Sequence, residues 1–165
     1  MYLSGQSYDA IVVGGGHAGC EASMALAKLG LKTLLISINK DRIGHLSCNP
    51  AIGGLAKGHM VREIDALGGM MGLWADEAGI QFRKLNTSRG PAVRAVRVQV
   101  DRDIYLKIVQ RDINAQPNLD VLDDTVDELL VEQDKVVGVL TGKGERIGAE
   151  AVLLTTGTFL GGRIH

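Results

Sequence analysis

Apolar and polar positions along the chain change period several times, and each change marks an element. Ala10 to Val13 is a short apolar run; a glycine turn follows, then an alanine-rich stretch with helical spacing from about Ala18 to Leu29, stopped by Gly30. A second apolar run, Thr33 to Ile36, comes next, so residues 8–42 predict a βαβ unit. Residues 43–100 break the alternation and are expected to form an inserted helical and loop segment. Within it "AKGHMVREIDALGG" predicts a helix with Met60, Ile64 and Leu67 on one face and a stop at Gly68 and Gly69. "MMGLWADEAG" predicts a second short helix and "IQFRKLN" an extended run, with Met60, Met70, Met71 and Trp74 as core. From residue 101 to 165 the pattern is a crossover helix ended by Pro117, a strand at "LDVL", and three β-like runs. The first two, "TVDELLVEQ" and "KVVGVLTG", read as a hairpin in a β-meander. The third, "ERIGAEAVLLTTG", reads as a return to the parallel sheet.

Gly14-x-Gly16-x-x-Gly19 falls at the junction of the first strand and first helix, where a dinucleotide fingerprint must lie to work. Gly14 permits the tight turn, Gly16 lets the backbone approach a pyrophosphate, and Gly19 lets the helix pack closely on the strand. The acid that normally ends the second strand is missing: that strand ends at Ser37, with Asn39 and Asp41 just beyond, and neither is assigned as a ribose ligand.

Composition narrows the classes. A chain of 165 residues suits one domain, and its apolar runs fall far short of the roughly 20 residues that span a bilayer. The start has neither the basic region nor the long apolar region of a secretory signal, so a cytoplasmic location without membrane contact is expected. Cys20 and Cys48 lie far apart and the four histidines show no ligand spacing, which suggests neither a disulfide framework nor a metal site. The net charge of −1 conceals a local excess: Arg83, Lys84, Arg89, Arg94, Arg97 and Arg102 face only Asp101 within residues 83–102.

The order of elements resembles that of flavoproteins of the glutathione-reductase type. The fold class expected is therefore α/β, a Rossmann-like FAD-binding domain with a β-meander and the inserted segment. Four blocks make the resemblance narrower: "DAIVVGGGHAGCEASMALAKLG", "SCNPAIGGLAKGHMVREIDALGG", "GIQFRKLNTSRGPAVRAVRVQVDR" and "LLTTGTFLGGRIH". Together they resemble the glucose-inhibited division protein A family of tRNA uridine 5-carboxymethylaminomethyl modification enzymes, from Tyr8 to His165. The resemblance implies an FAD enzyme that adds a carboxymethylaminomethyl or aminomethyl group at C5 of the wobble uridine of certain tRNAs. NADH would serve as reductant and methylene-tetrahydrofolate as one-carbon donor. It also implies a GTP-hydrolysing partner protein, engaged through a C-terminal region, and a homodimer at full length. Family members are much longer, so the chain is expected to be an N-terminal portion, with incomplete flavin affinity and no turnover by itself.

The family's FAD loop carries over as Gly14, Gly15, Gly16, His17, Ala18 and Gly19, and Val126 matches a position whose backbone meets the adenine. Cys20 stands near the start of the first helix, where a lowered thiol pKa is one reading and packing against the sheet the other. The basic segment suits an RNA phosphate backbone, a solvated face, or a brace for the FAD pyrophosphate. Cys48 is the candidate catalytic residue. A C5-modifying enzyme must make uridine C5 nucleophilic, and thiolate addition at C6 does so. Pro50, Gly53 and Gly54 predict a loop before a helix, whose dipole would favour the thiolate; the alternative is a structural thiol or a proton carrier. Two other functions fit parts of the pattern: another FAD-dependent oxidoreductase or folate-dependent tRNA uridine methyltransferase, and a non-catalytic nucleotide-binding fragment.

Overall fold

The structure, a computed structural model, describes residues 7–161. In chain order the elements are β1 (Ser7–Val13), α1 (His17–Lys28), β2 (Thr33–Ser37), β3 (Ala51–Gly53), α2 (Lys57–Ala66), α3 (Met71–Glu77), β4 (Gly79–Leu85), β5 (Ala95–Val100), α4 (Arg102–Ala115), β6 (Leu119–Asp123), β7 (Val126–Glu132), β8 (Lys135–Thr141) and β9 (Arg146–Leu154). They fall into two units: residues up to 44 together with those from 113 onward, and residues 45–112.

The first unit is built on a six-stranded sheet ordered β6-β2-β1-β9-β8-β7. β6, β2, β1 and β9 run parallel, while β8 and β7 are antiparallel additions. Strand β2 is buried along its whole length, which is why its sequence is a continuous apolar run rather than an alternation. Helix α1 lies against β1 and β2 and buries Gly19, Cys20, Ser23, Met24 and Ala27, a stripe at helical spacing. Tyr8, Ile11, Val13, Leu34 and Ile36 of the parallel strands join Val139, Ile147 and Ala149 in one apolar cluster. The β7–β8 hairpin turns through Gln133 and Asp134, both at positive φ, the conformation that a tight two-residue hairpin loop demands. Strand β9 serves two partners. Arg146 to Gly148 pair antiparallel with β8, and Gly148 to Leu154 pair parallel with β1.

The second unit contains a sheet that the sequence pattern anticipated only as one extended run. β3, β5 and β4 form a three-stranded antiparallel sheet, and α2 and α3 contact it. The predicted apolar face of α2 is not its buried face: Met60 is 60% and Leu67 90% exposed. The helix instead buries Gly58, where a Cβ would come within 2.8 Å of the Val96 carbonyl oxygen. Close backbone approach, not a side-chain stripe, seats it on β5. Of the four residues expected in the core, Trp74 is buried, Met70 and Met71 are half-buried, and Met60 is exposed. Helix α4 starts where Asp101 Oδ1 accepts from the Asp103 and Ile104 amides at 3.0 and 2.9 Å, and it stops two residues before Pro117. Among the described residues no helix is long and apolar enough to cross a membrane, and no group of acids, histidines or cysteines is arranged to hold a metal ion.

Candidate functional site

The carboxyl ends of the parallel strands gather the predicted nucleotide residues. β1 lies between β2, reached through α1 on one side, and β9 on the other, so it stands at the point where strand order reverses. In open α/β sheets that edge is where ligands bind. The loop Gly14–Gly19 leaves β1 there. Gly14 has φ +113°, and a Cβ on it would lie 2.6 Å from the Thr155 carbonyl oxygen. A Cβ on Gly15 would lie 2.8 Å from both Ser37 Oγ and Ile43 Cγ1, and one on Gly19 would overlap the Gly14 carbonyl oxygen. Gly16 is the exception: among the described residues, its chain neighbours aside, nothing lies within 4 Å of where its side chain would start.

The loop carbonyls are turned into the protein. Thr155 donates its amide to Val13 O at 2.9 Å, and its hydroxyl lies 3.0 Å from both Val13 O and Gly14 O. Gly15 O accepts from the Gly44 amide at 2.9 Å and from the Cys20 thiol at 3.6 Å. Gly16 O accepts from the Cys20 amide at 2.9 Å. Helix α1 then begins with no capping side chain and no acid in its first turn. Its first-turn amides have no acceptor within the helix, and the positive end of its dipole faces the open side of Gly16. These residues fit the pyrophosphate of a dinucleotide. The importance of Thr155 is not legible in its own stretch, since a Thr-Gly pair ending a strand says nothing of which loop it will hold.

The neighbouring strands complete this edge. Asp124 donates its amide to Ser37 O at 3.0 Å, which brings the start of β7, and so Val126, beside the end of β2. Beyond Ser37, Asn39 Oδ1 accepts from the Asp41 amide at 2.9 Å and caps a short 3-10 turn, Lys40–Arg42. The strand end, where the usual ribose acid stands, is Ser37, whose Oγ donates to Asn39 O at 3.2 Å.

The two cysteines differ sharply. Cys20 is fully buried beneath the loop, and burial, with a smaller push from the Glu21 carboxylate, raises its thiol to about 12. The lowered pKa considered for it is corrected: loss of solvent outweighs the helix start. Because this pKa lies above the ordinary thiol value, the buried neutral thiol contributes stability that is complete below about pH 9 and lost as pH climbs toward 12. Cys48 is exposed on a turn of the second unit; its Sγ accepts from Ser47 Oγ at 3.9 Å and its carbonyl from Arg102 Nη2 at 2.5 Å. It does not stand at a helix start: β3 lies between it and Lys57, where α2 begins. Contrary to the expectation from sequence, Cys48 is not placed at the positive end of the α2 dipole. We predict one thiol per chain reacting rapidly with Ellman's reagent, from Cys48, and a second only on unfolding; two fast native thiols would count against the burial of Cys20.

The basic segment folds as β4, β5 and the turn between them. Arg94 Nε donates to Arg89 O at 3.0 Å and Asn86 Nδ2 to Val93 O at 3.0 Å, so the turn is held by its own chain.

The sheet order, the glycine loop and its open face define a Rossmann-like α/β module of the FAD-binding, glutathione-reductase type. The chain belongs to the glucose inhibited division protein A family, whose profile matches residues 9–165. GidA of Aquifex aeolicus is 48% identical and superposes with TM-scores of 0.90 and 0.91 in two crystal forms, covering 93% of this chain. This chain spans only 25–26% of that protein. A GidA-related protein from Thermus thermophilus shares the fold at 19% identity and TM-score 0.61, over 93% of this chain and 55% of its own. PqsL, a probable FAD-dependent monooxygenase from Pseudomonas aeruginosa, does so at 15% identity and TM-score 0.62, over 89% of this chain and 42% of its own.

Proposed function

We propose that this chain supplies the FAD-binding part of a flavoenzyme that adds an aminomethyl or carboxymethylaminomethyl group to C5 of a tRNA wobble uridine. Membership of the family over residues 9–165 carries this reading, and the glycine loop with its open face at Gly16 supports the choice of cofactor. The backbone of Gly14, Gly15, Gly16, His17, Ala18 and Gly19 would hold the pyrophosphate at the positive end of α1, and Val126 would meet the adenine through its backbone. FAD, when bound, supplies two-electron redox chemistry. NADH as reductant, methylene-tetrahydrofolate as carbon donor, a GTP-hydrolysing partner, a homodimer and a cytoplasmic location belong to the same proposal.

Cys48 is the proposed nucleophile. Its thiolate forms a bond to uridine C6 while the C5–C6 π pair moves onto C5 and O4, which makes C5 nucleophilic. Once C5 carries its new substituent, loss of the C5 proton restores the double bond and expels the thiolate. Exposure of the thiol and the anchoring of its carbonyl by Arg102 support this role.

Two measurements test the proposal. Titration with FAD, read by flavin fluorescence, is expected to saturate, and Gly16→Glu is expected to weaken it by at least about tenfold, roughly 1.4 kcal/mol, without lowering Tm. No saturation with wild type, or equal affinity in the variant, would remove the cofactor assignment. Cells carrying Cys48→Ser are expected to lose the modified wobble nucleoside by mass spectrometry while the protein keeps its flavin. Persistence of the modification at the normal level would make the thiol structural.

A further inference from the structure

Twenty-two consecutive residues, 79–100, carry five cations and no carboxylate, and they form β4, β5 and their connecting turn. The register places Arg83 directly opposite Arg97 and Gln81 opposite Gln99. Like charges facing each other across a ladder oppose sheet formation, so this pairing works against the fold that contains it. Among the described residues neither Arg83 nor Arg97 has an ion-pair partner. On the other flank, Arg97 is opposite Gly53 of β3, which offers no side chain to cover it. Side chains two apart on a strand share a face, and Arg83, Arg97, Gln81, Gln99 and Leu85 line one recess of about 210 Å³. That is smaller than the roughly 300–1,000 Å³ of small-molecule pockets, and it suits one ligand group rather than a whole cofactor.

The chemistry of the lining is one-sided. Two guanidinium forks, each with five N–H donors, stand side by side with no acceptor among the described residues, and two carboxamides that both donate and accept lie next to them. The surrounding unit is positive as well: residues 45–112 hold ten lysines and arginines against seven aspartates and glutamates, although the whole chain is at −1. We propose that this recess is a phosphodiester clamp for RNA, in which Arg83 and Arg97 grip one phosphate together and Gln81 and Gln99 contact the adjoining ribose. The assignment rests on the tRNA reading above and names the side chains that would hold the nucleic acid. A phosphodiester has two non-bridging oxygens, one for each fork, and the ribose 2′-hydroxyl both donates and accepts, as the carboxamides do. An acidic peptide would match the arginines but leave the amide half of the recess without a specific role.

The test measures binding of a tRNA transcript to the FAD-loaded protein between 50 and about 300 mM salt, for wild type and for the double variant Arg83→Gln/Arg97→Gln. The double variant is expected to bind at least about tenfold more weakly at the lowest salt, with the slope of log K against log salt reduced by about one, since both arginines serve one phosphate. Its Tm and FAD affinity should match or exceed those of wild type, because an unfavourable opposition has been removed. Wild type that binds no tRNA would overturn both the clamp and the tRNA reading. Binding within twofold of wild type in the double variant would overturn the clamp alone. Competition by polyglutamate as strong as by single-stranded RNA of equal charge would assign the recess to an acidic protein instead. Displacement of RNA by inorganic phosphate at equal ionic strength would show a site for the free ion, and would likewise overturn the RNA assignment.

Discussion

Gly19→Ala is expected to cost about 3 kcal/mol or more, because its Cβ would overlap the Gly14 carbonyl oxygen and lie 2.8 Å from Thr155 Oγ1. Neither neighbour can yield cheaply. Gly14 O is backbone at the turn, and the Thr155 hydroxyl is within hydrogen-bond distance of two carbonyls, Val13 O and Gly14 O. For a chain of this size the loss corresponds to a fall in Tm of roughly 6–12 °C. Flavin binding should disappear with it, since α1 must move away from β1 to make room. Gly16→Ala is the control: its Cβ enters open space, and Tm should stay within a degree or so of wild type. Equal melting temperatures for Gly19→Ala and Gly16→Ala would show that the loop does not pack as described.

Trp74→Ala is expected to be as damaging to the second unit, by about 3–5 kcal/mol in urea unfolding followed by far-UV circular dichroism. The ring is 1% exposed, and its Nε1 donates to Asp112 Oδ2 at 2.9 Å. The other Asp112 oxygen accepts from Arg111 Nε at 2.7 Å, and Arg111 forks onto Glu77 at 2.6 and 2.9 Å. A single hydrogen-bonded chain therefore runs from the core of this unit to its surface. Trp74→Phe keeps most of the apolar contact but strands the Asp112 acceptor, so its cost should be intermediate. Glu77→Gln should cost little, because the pair is solvent-exposed, even though donation by Arg111 holds the Glu77 carboxyl below the usual carboxylate range. What stability Glu77 does contribute is present above the ordinary carboxylate pKa and lost as pH falls through its lowered value. A Trp74→Phe protein less stable than Trp74→Ala would contradict this ranking.

The parts of this fold that were legible in the sequence are those whose signal is local. The βαβ unit, the Gly14–Gly19 loop and the β7–β8 hairpin each announce themselves within a few residues, through period changes and turn chemistry. The second sheet did not. β3 is only three residues long, and in β5 Arg97 and Gln99 alternate with Val96, Val98 and Val100, so a strand period was present in a stretch whose charge dominated its reading. For α2 the helical spacing of Met60, Ile64 and Leu67 was real, but spacing does not say which face is buried, and here a glycine decided it. The same limit applies to the site. The glycines show where a pyrophosphate would lie, whereas the carbonyl clamp from Thr155 and the opposition of Arg83 to Arg97 exist only once distant segments are paired.

The double role of β9 governs the order in which this protein is assembled. β1 and β2 are made early and can pair at once, but the other edge of β1 must wait for residues 148–154, about 140 positions later in the chain. Contacts so far apart in sequence are slow to form, and until they form β1 is an open strand edge in a growing chain, a surface that invites pairing with other chains. The glycine loop shares that delay. Although its residues are among the first twenty made, the Gly14 carbonyl at its turn is fixed only when Thr155 docks, so full nucleotide affinity should be one of the last properties the folding chain acquires.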